Sequence, residues 1–227
     1  MNSVSISSHV PAAKAPVRDP GSALTHLIAA ILAVIGTFPL LYRTSRTGDA
    51  IATASMTVFM ISMILLYSAS TTYHTINTSK ETIQRFRKID HMMIFLLIAG
   101  TYTPICLISL RDGVGPLMCA IVWGIALGGI VIKAFWITCP KWFSSLLYIS
   151  MGWVCVMGFS QILRTLSATA FGWLLAGGII YTVGGVIYAL KLPLFNARHR
   201  YFGSHEIFHL FCIGGSLCHY IVMFHIL

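Results

Sequence analysis

The chain has 227 residues, 57% hydrophobic and 9% charged, with a mean hydropathy of +0.82. Soluble domains carry about 25% charged residues, so this composition excludes a water-covered globule and leaves a bundle of membrane helices. The net charge of +9 reflects how basic residues divide between membrane sides and does not point to nucleic acid.

The first residues, MNSVSISSHVPAAKAPVRDP, are polar and lack the apolar core of a cleavable signal peptide. Residues 1–20 are expected to form a disordered cytosolic tail, with 21–227 as a single seven-helix membrane domain. Seven apolar stretches follow, at roughly 23–42, 50–73, 91–110, 116–136, 143–163, 172–190 and 205–226. Each is near the about 20 residues needed to cross a hydrocarbon core, and the connections are too short for a soluble domain. The predicted fold class is an all-α integral membrane protein, a seven-transmembrane-helix bundle. With the N-terminus inside, Lys14, Arg18, Lys80, Arg85, Arg87, Lys88, Lys133, Lys141, Lys191, Arg198 and Arg200 fall on the inner side. Only Arg43, Arg46, Arg111 and Arg164 fall outside. The positive-inside rule therefore predicts a cytoplasmic N-terminus and an outside C-terminus, with the basic residues meeting anionic lipid headgroups.

Along the spans, GSALTH places His26 at the start of the first, and SASTTYHT places Ser70 and His74 at the end of the second. RFRKIDHMMIF sets Asp90 and His91 at the mouth of the third, where Tyr102, Thr103 and Pro104 are expected to bend the helix or line a cavity. Glycine pairs at 128–129, 177–178, 184–185 and 214–215, and the GIALG run from Gly124 to Gly128, read as close helix packing. Six cysteines without a CxxC read as small apolar residues and support neither a disulfide framework nor a thiolate zinc site. Arg198, His199 and Arg200 fit the positive-inside bias, with contact to a lipid phosphate as the alternative.

The seventh span opens with HEIFH, from His205 to His209, the spacing of a zinc-protease helix. Residues four apart share one helix face, so two imidazoles can reach one metal. Helix direction brings His74, Asp90, His205 and His209 to one depth near the cytoplasmic face. Catalytic zinc takes three protein ligands, and His74 is the natural third. Asp90, reaching the metal through water, is the candidate base. Ser70 lies one turn from His74, where it either serves the site or bonds back to its own helix. The other acidic residues, Asp19, Asp49, Glu81 and Asp112, lie in tails or loops where water accounts for them. His219 lies too far along its helix to join the same metal and is expected to make an interhelical hydrogen bond.

The SxxxH of Ser70–His74, Asp90 in DHMMIF, the AGTYTP of the third span and SHEIFH in the seventh closely resemble the hemolysin III family. That family is the bacterial branch of the progestin and adipoQ receptor superfamily, and GSALTH fits it too. The resemblance runs from about residue 18 to the end. It implies a seven-helix bundle in the bacterial inner (plasma) membrane, with zinc held by His74, His205 and His209, Asp90 acting through water, and Ser70 in the same site. It also implies kinship with ceramidases that hydrolyse a lipid amide, and roles in membrane-lipid homeostasis or cytolysis. Receptor members can carry glutamine at the position matching Glu206, so Asp90 is favoured as base, with Glu206 orienting a histidine or facing headgroup water.

Three functions are compatible with these residues. The first is a zinc-dependent hydrolase of a membrane lipid or acyl amide, the second a non-enzymatic sensor or receptor with structural zinc. The third is a cytolysin that permeabilises membranes, although no polar pore stripe is visible in the sequence.

Overall fold

The computed structural model describes residues 16–190 and 203–227. The expectations for residues 1–15 of the tail, and for Arg198, His199 and Arg200, lie outside the described residues.

Each helix begins where the sequence supplies a start signal. Pro20 opens α1 (Pro20–Ser45), since a missing N–H costs nothing in a first turn. The Asp49 carboxylate accepts the Ile51 and Ala52 amides to cap α2 (Ala50–Thr75), and the Ser79 hydroxyl accepts the Thr82 amide to cap α3 (Lys80–Pro104). These are followed by α4 (Gly115–Phe135), α5 (Lys141–Gly152), α6 (Phe159–Thr165), α7 (Ala168–Leu190) and α8 (Ser204–His225). A 3₁₀ segment, Trp153–Gly158, joins α5 to α6, so Lys141–Thr165 forms one span and the described residues form seven. All seven are long and apolar enough to cross a bilayer, which makes the chain a seven-span, all-α, multi-pass membrane protein.

One boundary differs from the sequence expectation, and the other end of the same span changes its winding. α3 starts at Lys80 rather than near residue 91, because KETIQRFRKI forms a polar helical stem below the apolar stretch. Lys88 of that stem donates its Nζ to the Ala134 carbonyl at 2.6 Å, fastening it to the end of α4. At the other end, Pro104 closes the α-helix and a π-helical turn continues over Ile105–Ser109. Tyr102 lies just before that change of winding, and its hydroxyl donates to the Gly152 carbonyl at 2.6 Å and accepts the Cys155 amide at 2.9 Å. Two irregular turns therefore meet at one tyrosine, which satisfies backbone groups that would otherwise face hydrocarbon.

The helices close into a ring, with α1 against α2 and α8, α2 against α3, α3 against α4, α5 against α7, and α7 against α8. Met56, Phe59, Met60 and Tyr67 of α2 and Phe95 of α3 form the buried centre. Outward residues such as Phe38 and Phe135 are exposed yet apolar, as a lipid-facing surface requires.

One glycine of each pair sits at a close contact. A Cβ at Gly129 would lie 2.3 Å from the Phe95 ring, at Gly177 2.9 Å from His219, at Gly184 2.6 Å from Phe211, and at Gly215 2.8 Å from Tyr181. The GIALG run is a correction: Gly124 and Gly128 have nothing within 4 Å of a would-be Cβ, so the run marks no close helix packing within the chain. All six cysteines are free. His219 also departs from expectation. Its ring stacks on Tyr181 at 5.5 Å, and its Nδ1 is buried without a hydrogen-bond partner.

Candidate metal centre

The three histidines arrive from two helices. His74 occupies the last turn of α2, which stops as Ile76 takes extended backbone. His205 and His209 occupy the first turns of α8, one turn apart on one face. His74 and His209 are buried and His205 is half-buried. One ring nitrogen from each lies within 4.8 Å of the others, forming a group able to hold a metal ion. His74 Nε2 and His205 Nε2 are 3.2 Å apart. Two nitrogens bound tetrahedrally at about 2.0–2.1 Å from one ion would be separated by about 3.3 Å, so the spacing fits a shared metal.

Ser70 and Asp90, both buried, line a cavity of about 240 Å³ together with His26, His205 and His209. Asp90 is not among the converging ligand atoms. Its Oδ2 lies 3.4 Å from His91 Nδ1. Beyond these groups the cavity wall is mostly apolar, past Leu97, Ile105 and Phe159, with hydroxyls of residues such as Thr101 and Ser145 among its lining.

The first turns of α1 contact this centre through residues that sequence reasoning left aside. Asp19 Oδ2 lies 3.0 Å from His74 Nδ1 and accepts Arg18 Nε at 2.9 Å. The expectation of a carboxylate solvated in the tail is thus corrected. The hydrogen bond with His74, reinforced by Arg18, holds the Asp19 carboxyl down at about 2 against the opposing effect of burial. Thr25 Oγ1 approaches His209 Nδ1 at 3.4 Å, and the His26 ring stacks on His209 at 3.6 Å with 9° between planes. Both His26 ring nitrogens are buried without a hydrogen-bond partner.

Glu206 has partners other than those expected. One oxygen accepts the Gly203 amide at 2.7 Å at the start of α8, and the other accepts the Ser22 hydroxyl at 2.6 Å. It therefore ties α8 to α1 and neither holds a histidine ring nor belongs to the converging group. The only sequence signal for that role was the spacing from Gly203 to Glu206 at a helix start.

Comparisons with known proteins identify the family. The family model described as "Haemolysin-III related" matches residues 15–220. The chain is 40% identical over 207 residues to "Hemolysin-3" of Bacillus cereus, covering 91% of this chain and 90% of the relative. It is 38% identical over 195 residues to "Hemolysin-3 homolog" of Bacillus subtilis (strain 168), covering 86% and 87%. A more distant relative, "Adiponectin receptor protein" of Drosophila melanogaster, is 27% identical over 89% of this chain and 49% of its own length. With the match running through all seven spans and both histidine-bearing helices, the chain belongs to the haemolysin III family, within the progestin and adipoQ receptor superfamily.

Proposed function

We propose that this protein is a zinc-dependent hydrolase of a membrane lipid amide, acting at the cytoplasmic leaflet of a bacterial inner membrane and serving lipid homeostasis. The observation that carries this reading is a cluster of His74, His205 and His209, two of which, His205 and His209, line a largely apolar cavity that also bears the Asp90 carboxylate and the Ser70 hydroxyl. Three imidazoles without a thiolate suit zinc among the common divalent ions. Zinc at such a centre polarises a carbonyl and brings the pKa of water toward about 7.

The chain's own residues supply the rest. Asp90 holds the attacking water, takes its proton as the C–O bond forms, and returns it to the amide nitrogen as the C–N bond breaks and the amine leaves, as a buried carboxylate lining the cavity is suited to do. The Ser70 hydroxyl, which lines the same cavity as Asp90, donates to the substrate carbonyl oxygen. The apolar wall receives an acyl chain and excludes bulk water. The cytoplasmic assignment rests on the eleven-to-four division of Lys and Arg. The same basic residues face anionic headgroups.

A receptor or sensor with structural zinc is the second reading, favoured by the name of the Drosophila relative. Direct cytolysis is the third, favoured by the names of the Bacillus relatives. Zinc content of purified wild type and of the His205→Ala, His209→Ala double variant tests the site, and equal zinc in both removes the assignment. Lipid extracts from cells carrying wild type and Asp90→Asn then separate the readings. The hydrolase loses about 10²–10⁴ of its turnover in the variant, visible as a lipid species that changes only with Asp90 intact. Unchanged lipids with zinc retained favour the receptor, and leakage that survives loss of both zinc and Asp90 favours the cytolysin.

A further inference from the structure

Asp19 sits at the N-cap of α1, where an aspartate ordinarily accepts an amide of its own first turn. It makes no such bond. Its carboxylate is directed instead at the neighbouring helix, 3.0 Å from His74 Nδ1. The backbone of the same residue grasps the same histidine, because the Asp19 amide donates to the His74 carbonyl at 3.0 Å. One position later in α2, the Thr75 carbonyl accepts the Arg18 amide at 3.4 Å, fixing the register of the two segments. Arg18 completes the arrangement, with its Nε on the Asp19 carboxylate and its guanidinium 4.1 Å above the Tyr73 ring.

A neutral imidazole has one N–H and one lone pair, and the partner of one nitrogen decides the state of the other. A carboxylate at Nδ1 places the proton there and leaves the Nε2 lone pair facing His205 Nε2, 3.2 Å away. That is the tautomer a metal needs, and carboxylate–histidine pairs of this kind orient ligands in metal centres. We propose that Asp19 is a positioning residue for the metal centre, holding His74 in the Nδ1–H tautomer so that Nε2 is presented to the ion. This rests on the metal reading above and adds a residue on a third helix to a centre whose ligands come from two.

The test uses the full-length protein purified in detergent, with zinc affinity measured by competition against a chelating dye. Asp19→Asn keeps the shape and every backbone bond, and Asp19→Ala removes the acceptor altogether. Loss of a partner of this kind weakens metal binding about 10–100-fold, with Asp19→Ala expected at the upper end and Asp19→Asn between it and wild type. The second readout is the ¹⁵N spectrum of His74 in zinc-free protein, assigned with His74→Gln. Wild type should show the proton on Nδ1, and Asp19→Ala should lose that preference. A clamp that merely joins α1 to α2 would lower the melting temperature of Asp19→Ala and leave zinc affinity and tautomer unchanged. That outcome overturns the proposal while the His205→Ala, His209→Ala control still loses zinc. Zinc retained in that control overturns the metal reading itself, and the positioning role with it. An Nε2–H tautomer in wild type overturns the positioning role alone.

Discussion

Between α2 and α3 the two helices meet where Gly100 faces Ser62, and a Cβ at Gly100 would fall 2.2 Å from the serine Oγ and 2.7 Å from its Cβ. Ser62 cannot simply rotate away without giving up its bond to the Phe59 carbonyl at 2.7 Å. Gly100→Ala is therefore expected to destabilise the protein by about 1–3 kcal/mol, as overpacking does, read from thermal unfolding in detergent. Gly100→Ala combined with Ser62→Gly should recover part of that loss. Gly124→Ala is the contrast: no atom lies within 4 Å of the added methyl, so it should leave unfolding within about 0.5 kcal/mol of wild type. The two glycines look alike in sequence, and only the crossing of neighbouring helices separates them.

Helix ends carry the next set of consequences. Glu206 accepts the Gly203 amide at the start of α8 and the Ser22 hydroxyl, so Glu206→Ala, which removes two hydrogen bonds, should cost about 1–3 kcal/mol of stability with zinc content unchanged, measured by unfolding and metal analysis together. At the opposite end of the bundle, Asp49 caps α2 and pairs with Arg111. The Arg111 hydrogen bond, helped by the amides of Ala52 and Ile51, holds the Asp49 carboxyl below the usual carboxylate range. A lowered folded-state pKa means that this stabilisation is complete above the unfolded value of about 3.9 and disappears as pH falls through the folded one. Asp49→Asn, which still caps, should therefore lose less stability than wild type between pH 6 and pH 3. Elements differed in how far the sequence revealed them. His205 and His209 were legible from a four-residue spacing, and His74 from the depth at which α2 ends. Asp19 was not, because an aspartate before Pro20 reads as a solvated cap until the register of α1 on α2 is known. The start of α3 was missed for a related reason, since its stem is polar and becomes a helix through its Ser79 cap and the Lys88 tie to α4.

At the scale of the whole molecule, the apolar pattern already contained the seven spans, whereas the closing of the ring by α1 against α8 did not appear in it. The candidate metal centre sits at that closure, so an ion held there would act as a fastener between distant parts of the chain. Chelation is expected to lower the melting temperature of wild type, by the equivalent of about 4 kcal/mol where zinc had stood at a thousand times its dissociation constant. The His205→Ala, His209→Ala variant should show no such response. Reporter fusions at the two termini check the topology, with the N-terminal one expected in the cytoplasm and the C-terminal one outside.

The pairing of the first helix with the last also has a meaning in time. Ser22 and Glu206 are separated by 184 residues, and His74 and His205 by 131. A ribosome releases α1 and α2 into the membrane long before α8 exists, so the growing chain carries His74 and Asp19 without the other half of the centre. If the centre takes an ion as proposed, loading would be a late event, open only once the final helix has been synthesised and seated between α7 and α1. A chain cut short ahead of residue 204 would lose the ring closure and both α8 histidines together, so an ion bound there would mark completed synthesis.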